Sequence, residues 1–149
     1  MITVTNHYPY NLDKKNQSID KTNTGDETVD GYVQTAHYLD QAIGELMRWM
    51  KKTGLDKKTL IVFYGDHYGI SGNHHKASAE LLKKDSFNDF DNLQFQRVPL
   101  MFHMKGLKGG INHTYGGEID VLPTLLNLLG IKDKDTIQFG YDLRSKNAP

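Results

Sequence analysis

The chain has 149 residues, 38% of them hydrophobic and 24% charged, and this length and apolar content suit a single folded domain and exclude a disordered tail. Lysine plus arginine balances aspartate plus glutamate at 18 each, which argues against a nucleic-acid partner, and the absence of cysteine excludes disulfide and thiolate chemistry. No apolar run reaches the ~18–20 residues of a membrane span, and the first ten residues lack the layout of a signal peptide.

The β-branched run Ile2, Thr3, Val4 and Thr5 predicts a short strand, stopped by Pro9, which cannot continue a ladder. Residues 11–27 are polar and predict a long surface loop. A helix follows: Val29, Tyr32, Val33, Ala36, Leu39, Ile43, Leu46, Met47 and Met50 recur at spacings of three and four and share one face. Asp26, Glu27 and Asp30 at its start and Lys51 and Lys52 at its end suit the helix dipole, and Gly54 suits the C-terminal cap. The run Thr59 to Tyr64 is apolar without alternation, as in a strand of a parallel sheet buried on both faces. Residues 71–96 are polar, with a short helix predicted over 77–84. Val98 to Met104 predicts a further strand, Gly106 to Gly117 a glycine-rich connection, and Ile119 to Leu129 an apolar helix ended by Gly130. Ile137 to Leu143 could begin another strand. This order predicts an α/β fold, a largely parallel sheet flanked by helices, within one domain over residues 1–149.

Chemistry is expected at the end of the Thr59–Tyr64 strand, because open α/β sheets bind ligands beyond the carboxyl ends of their strands. Asp66 and His67 follow Gly65 there, and a carboxylate beside an imidazole suits a divalent cation. The plain alternative is that Asp66 caps a turn and His67 faces solvent. His7, after the first run, could donate to a phosphate oxygen, ligate a metal, or simply sit on a surface loop. The His74–His75 doublet could reach the same strand end or be merely solvated. His113, between Gly110 and Gly116, is a further candidate, whereas His37 and His103 are expected to be structural. There is no Walker-type phosphate loop, no G-x-S-x-G elbow and no dinucleotide fingerprint.

Taken together, three stretches resemble the lipoteichoic acid synthase family: Ile2 to Tyr10 with its Asn-His-Tyr-Pro, Phe63 to Ser71 with its Gly-Asp-His-Tyr-Gly-Ile-Ser, and Gly117 to Ile131 with its Asp-Val-Leu-Pro-Thr. The likeness runs on through Phe139 to Ser145. The Asp-Val-Leu-Pro-Thr helix is widespread among sulfatase-like proteins; the other two motifs are more specific. These are phosphoglycerol transferases of Gram-positive bacteria with a sulfatase-like fold of the alkaline phosphatase superfamily. The resemblance implies that Asp66 and His67 are metal ligands, with Mn²⁺ the expected ion and Mg²⁺ or Zn²⁺ as alternatives. It implies that His7 contacts the phosphoglycerol phosphate and that His74 is a further substrate-binding histidine. The implied reaction moves glycerol phosphate from phosphatidylglycerol to a polyglycerolphosphate chain through a covalent threonine intermediate, at the extracellular face of the cell membrane.

The family's nucleophilic threonine and a glutamate ligand lie upstream of the His-x-Pro motif and match nothing here, so no catalytic nucleophile is assigned. The chain is therefore expected to be a partial sulfatase-like domain, the C-terminal half of a catalytic domain, soluble, inactive alone and prone to self-association through an uncovered face. The competing readings are another sulfatase-like enzyme (a sulfatase, phosphodiesterase or phosphoethanolamine transferase) and a non-catalytic binding module.

Overall fold

The computed structural model describes residues 2–132 and 135–146, and the chain falls into two compact units, Met1–Leu107 and Lys108–Pro149. In the first unit the predicted long helix is α1, Glu27–Thr53. Asp26 caps its start, accepting from the backbone N–H groups of Thr28 and Val29 at 3.0 and 3.2 Å, and Gly54 closes its end in the left-handed region at φ +74°. Of the predicted apolar face, Val29 and Met50 are buried, while Val33, Ala36, Leu39, Ile43, Leu46 and Met47 are half-buried.

The sheet corrects the prediction. It contains two strands, β1 (Ile61–Tyr64) and β2 (Leu100–His103), paired antiparallel with Ile61 opposite His103 and Tyr64 opposite Leu100. No largely parallel sheet is present among the described residues. The Gly65 N–H donates to the Pro99 carbonyl at 3.0 Å, so the chain re-enters the sheet at the end where it left, which forces opposite directions. An unbroken apolar run reports burial and carries no information about strand direction, and β2 in fact alternates between half-buried and exposed residues. Residues 2–5 form no strand. Ile2 and Val4 are exposed, and their β-branched side chains find no ladder partner among the described residues.

Between the strands lie α2 (His75–Leu81) and α3 (Asp89–Gln94). The predicted 77–84 helix starts two residues earlier and stops sooner, because Lys83 turns left-handed (φ +56°) and the Lys84 N–H closes back on the Ala79 carbonyl at 2.9 Å. α3 was not predicted, although its signal was present: Asn88 and Asp91 form a reciprocal capping box at 2.9 and 3.2 Å. The core joins Tyr10, Val29, Ile70 and Ala77, with Tyr32 and Phe95 packed against them.

In the second unit, a 3-10 turn at Glu118–Asp120 leads into α4 (Val121–Leu128). Buried Asp120 accepts from the backbone N–H groups of Gly117 at 2.8 Å and Tyr141 at 2.7 Å. The buried Thr124 hydroxyl donates to the Asp120 carbonyl at 2.7 Å and accepts from the Leu143 N–H at 3.0 Å. These bonds lay residues 140–143 along α4 as an irregular strap in place of the expected strand. A side chain on Gly140 would strike the Ile119 carbonyl oxygen at 2.1 Å, which explains a glycine at that contact.

Candidate functional site

β1 delivers Asp66 and His67 to its carboxyl end. Gly65 is needed for this geometry, since a Cβ there would lie 2.9 Å from the Val98 side chain. His7 arrives by a different route. The Tyr10 N–H donates to the His7 carbonyl at 2.9 Å, closing a turn that contains a cis Tyr8–Pro9 bond, and Tyr10 itself is left-handed at φ +57°. The buried Tyr10 ring then donates its hydroxyl to the Gly69 carbonyl, 59 positions along the chain. Burial, aided by neighbouring Tyr32, raises the Tyr10 phenol above its ordinary pKa. On the other side, the Thr35 hydroxyl donates to the Asn6 side chain at 2.8 Å. The result is that the His7 and His67 rings stand 5.7 Å apart, centre to centre, at an interplanar angle of 87°.

Both rings are held in the same way. Nδ1 of His7 lies 2.9 Å from the Tyr8 carbonyl oxygen, and Nδ1 of His67 lies 2.7 Å from that of Tyr68. A carbonyl only accepts, so each Nδ1 carries a proton, and either ring in its neutral form keeps its lone pair on Nε2. Asp66 Oδ1 is 3.9 Å from His67 Nε2, and both side chains are more than half exposed.

A cavity of about 340 Å³ opens beside them, lined by Tyr8, Thr28, His67, Tyr68, Gly69, Ser71 and His74. His74 enters its wall through a 3-10 turn in which its N–H bonds the Ser71 carbonyl at 3.1 Å, and its Nδ1 lies 2.7 Å from Asp26 Oδ2. The hydrogen bond from His74 outweighs the opposing effect of burial and, with lesser help from the backbone N–H groups of Val29 and Thr28, holds the Asp26 carboxyl below its ordinary pKa. The histidine doublet is thus divided: His75 turns away and packs against Phe87 and Phe95 at 5.1 and 5.8 Å.

Asp66 and His67 supply a carboxylate and an imidazole whose other nitrogen is tied to a carbonyl, the chemistry a divalent ion uses. They are two donors where about four are usual, and among the described residues no group of three or more histidines and carboxylates is placed to hold an ion. The described residues alone do not complete a metal site. His113 belongs to the second unit, His37 is half-buried on α1, and His103 is exposed on β2. Sequence reasoning saw Asp26 only as a helix-start acid and passed over Thr28 and Ser71. Asp26 and His74 are 48 positions apart, and no spacing rule connects them.

Comparison with known proteins agrees with this reading of the motifs. A sulfatase family profile matches residues 1–131. The chain is 55% identical to Lipoteichoic acid synthase 1 of Bacillus subtilis over 147 residues, covering 99% of this chain and 23% of that protein. It is 50% identical to Lipoteichoic acid synthase 2 of the same organism, covering 97% and 22%, and 50% identical to the Lipoteichoic acid synthase of Staphylococcus aureus, covering 98% and 22%. The chain thus spans less than a quarter of the length of these relatives. With the profile covering most of its length, the chain belongs to the sulfatase family.

Proposed function

We propose that this chain is part of the catalytic domain of a metal-dependent phosphoglycerol transferase that builds lipoteichoic acid at the extracellular face of the cell membrane. The observation that carries the reading is the packing of His7 against His67 at one rim of the first unit, in a chain 50–55% identical to lipoteichoic acid synthases. In this reading phosphatidylglycerol is the donor and a polyglycerolphosphate chain the acceptor. Asp66 and His67 contribute two ligands to Mn²⁺, or to Mg²⁺ or Zn²⁺ in its place, and further donors and the nucleophilic threonine come from outside this chain. His7 contacts the phosphoryl group and His74 the substrate. Among the described residues no helix is long and apolar enough to cross a membrane.

The test is a chimera in which residues 1–149 replace the matching segment of the Bacillus subtilis Lipoteichoic acid synthase 1. It is expected to release diacylglycerol from phosphatidylglycerol when Mn²⁺ is added and to stop when the ion is chelated. Asp66→Ala or His67→Ala is expected to lower the rate by more than about 100-fold. The 149-residue chain alone is expected to show no turnover. A folded but inactive chimera, or ligand variants with full activity, would overturn the reading.

A further inference from the structure

Asp26 has two acceptor oxygens with separate partners. Oδ1 caps α1 through Thr28 and Val29, while Oδ2 meets His74 Nδ1 at 2.7 Å. The carboxylate is itself braced from behind. Its backbone N–H donates to the Thr24 hydroxyl at 3.3 Å, and Thr24 in turn donates its hydroxyl and its N–H to Asp30 Oδ1 at 2.9 and 3.2 Å. Thr22 donates to that same oxygen at 2.7 Å, and Asp30 is buried. An ionised carboxylate only accepts, so Nδ1 of His74 bears a proton, and the ring in its neutral form keeps a lone pair on Nε2. Among the described residues Nε2 has no partner, and His74 lines the cavity beside His67. A lone pair there can accept from a hydroxyl.

We propose that Asp26 is a positioning residue that fixes His74 as its Nδ1–H tautomer, so that Nε2 accepts a hydrogen bond from a hydroxyl of a polyol substrate in the cavity. The identity of the polyol as a glycerol unit rests on the transferase reading above; the tautomer lock does not. Asp26→Asn separates this role from helix capping, because asparagine caps a helix about as well as aspartate. Its carbonyl takes over the bonds from Thr28 and Val29, which turns its amide toward His74. That amide donates to Nδ1 and drives the proton to Nε2.

The experiment is long-range ¹H–¹⁵N spectroscopy of histidine-labelled 149-residue chain, above the ordinary imidazole pKa, with glycerol as the probe. Wild type is expected to show the Nδ1–H pattern at His74 and a shift of its Nε2 resonance as glycerol is added. Asp26→Asn is expected to keep its thermal midpoint, show the Nε2–H pattern and lose that response. Asp26→Ser, which caps without reaching His74, is expected to give a mixture of tautomers. An Nε2–H wild type, an unchanged pattern in the asparagine variant, or a wild-type His74 indifferent to glycerol would overturn the proposal. In the chimera, Asp26→Asn is expected to lower kcat/KM about tenfold or more; unchanged kcat/KM would also overturn it. An inactive parent chimera counts against the transferase reading alone, and the spectra then decide the role of Asp26.

Discussion

Tyr10 ties the turn bearing His7 to the loop bearing His67 through one hydroxyl, so Tyr10→Phe keeps the buried ring and deletes only the bond to the Gly69 carbonyl. That change is expected to cost about 1–2 kcal/mol, read as a lower urea midpoint at unchanged slope. Because the folded phenol is raised above 10.0, the neutral group stabilises the fold fully below that pH, and the contribution is lost as pH rises through the folded value. The phenylalanine variant is expected to lack this alkaline component. Gly69→Ala acts at the same joint: a Cβ there would lie 2.7 Å from the Tyr32 ring, an overpacking expected to cost about 1–3 kcal/mol. The candidate residues were legible as local signals, a histidine before Pro9 and an Asp-His pair after an apolar strand, and the His7 and His67 rings do meet. The hydroxyl that brings them together was not legible, because Tyr10 reads from sequence as an ordinary loop aromatic.

At the scale of elements, the start of α1 is both a structural cap and part of the cavity wall. Asp26→Ala is expected to lower stability by about 1 kcal/mol, whereas Asp26→Asn at neutral pH leaves it nearly unchanged. The two differ from wild type in acid as well. The bond from His74 holds the Asp26 carboxyl below its ordinary 3.8, so its stabilisation is complete above that pH and is lost as pH falls through the folded value. Urea midpoints measured down through this window are expected to fall more steeply for wild type than for Asp26→Asn. The periodicity of α1, its caps and the ending at Gly54 were readable because they depend on neighbours three or four positions away. Strand direction was not, since it depends on where residues 66–99 return, and the short α3 was hidden in a polar segment whose capping box spans only Asn88 to Asp91.

At the scale of the molecule, much apolar surface is open. Phe90 and Leu93 on α3 are 64% and 68% exposed, Ile2 and Val4 more so, and β1 and β2 each pair on only one side among the described residues. Such faces favour association. We therefore expect the chain to self-associate in light scattering as its concentration rises; a strictly monomeric species at high concentration would remove this expectation. The sulfatase family was legible from three motifs because each is short and contiguous. A sheet and a set of site residues are assembled from positions far apart in the chain, which no short motif records.

The bonds around Asp120 bear on how the Asp-Val-Leu-Pro-Thr motif should be understood. Both carboxylate oxygens of Asp120 are already occupied by backbone donors, and the Thr124 hydroxyl both gives and receives. Asp120 and Thr124 are both buried, which closes them to a passing ion or phosphate. The signature works as a fastener that buckles the tail of the chain to its last helix, which gives it a use in proteins whose chemistries differ.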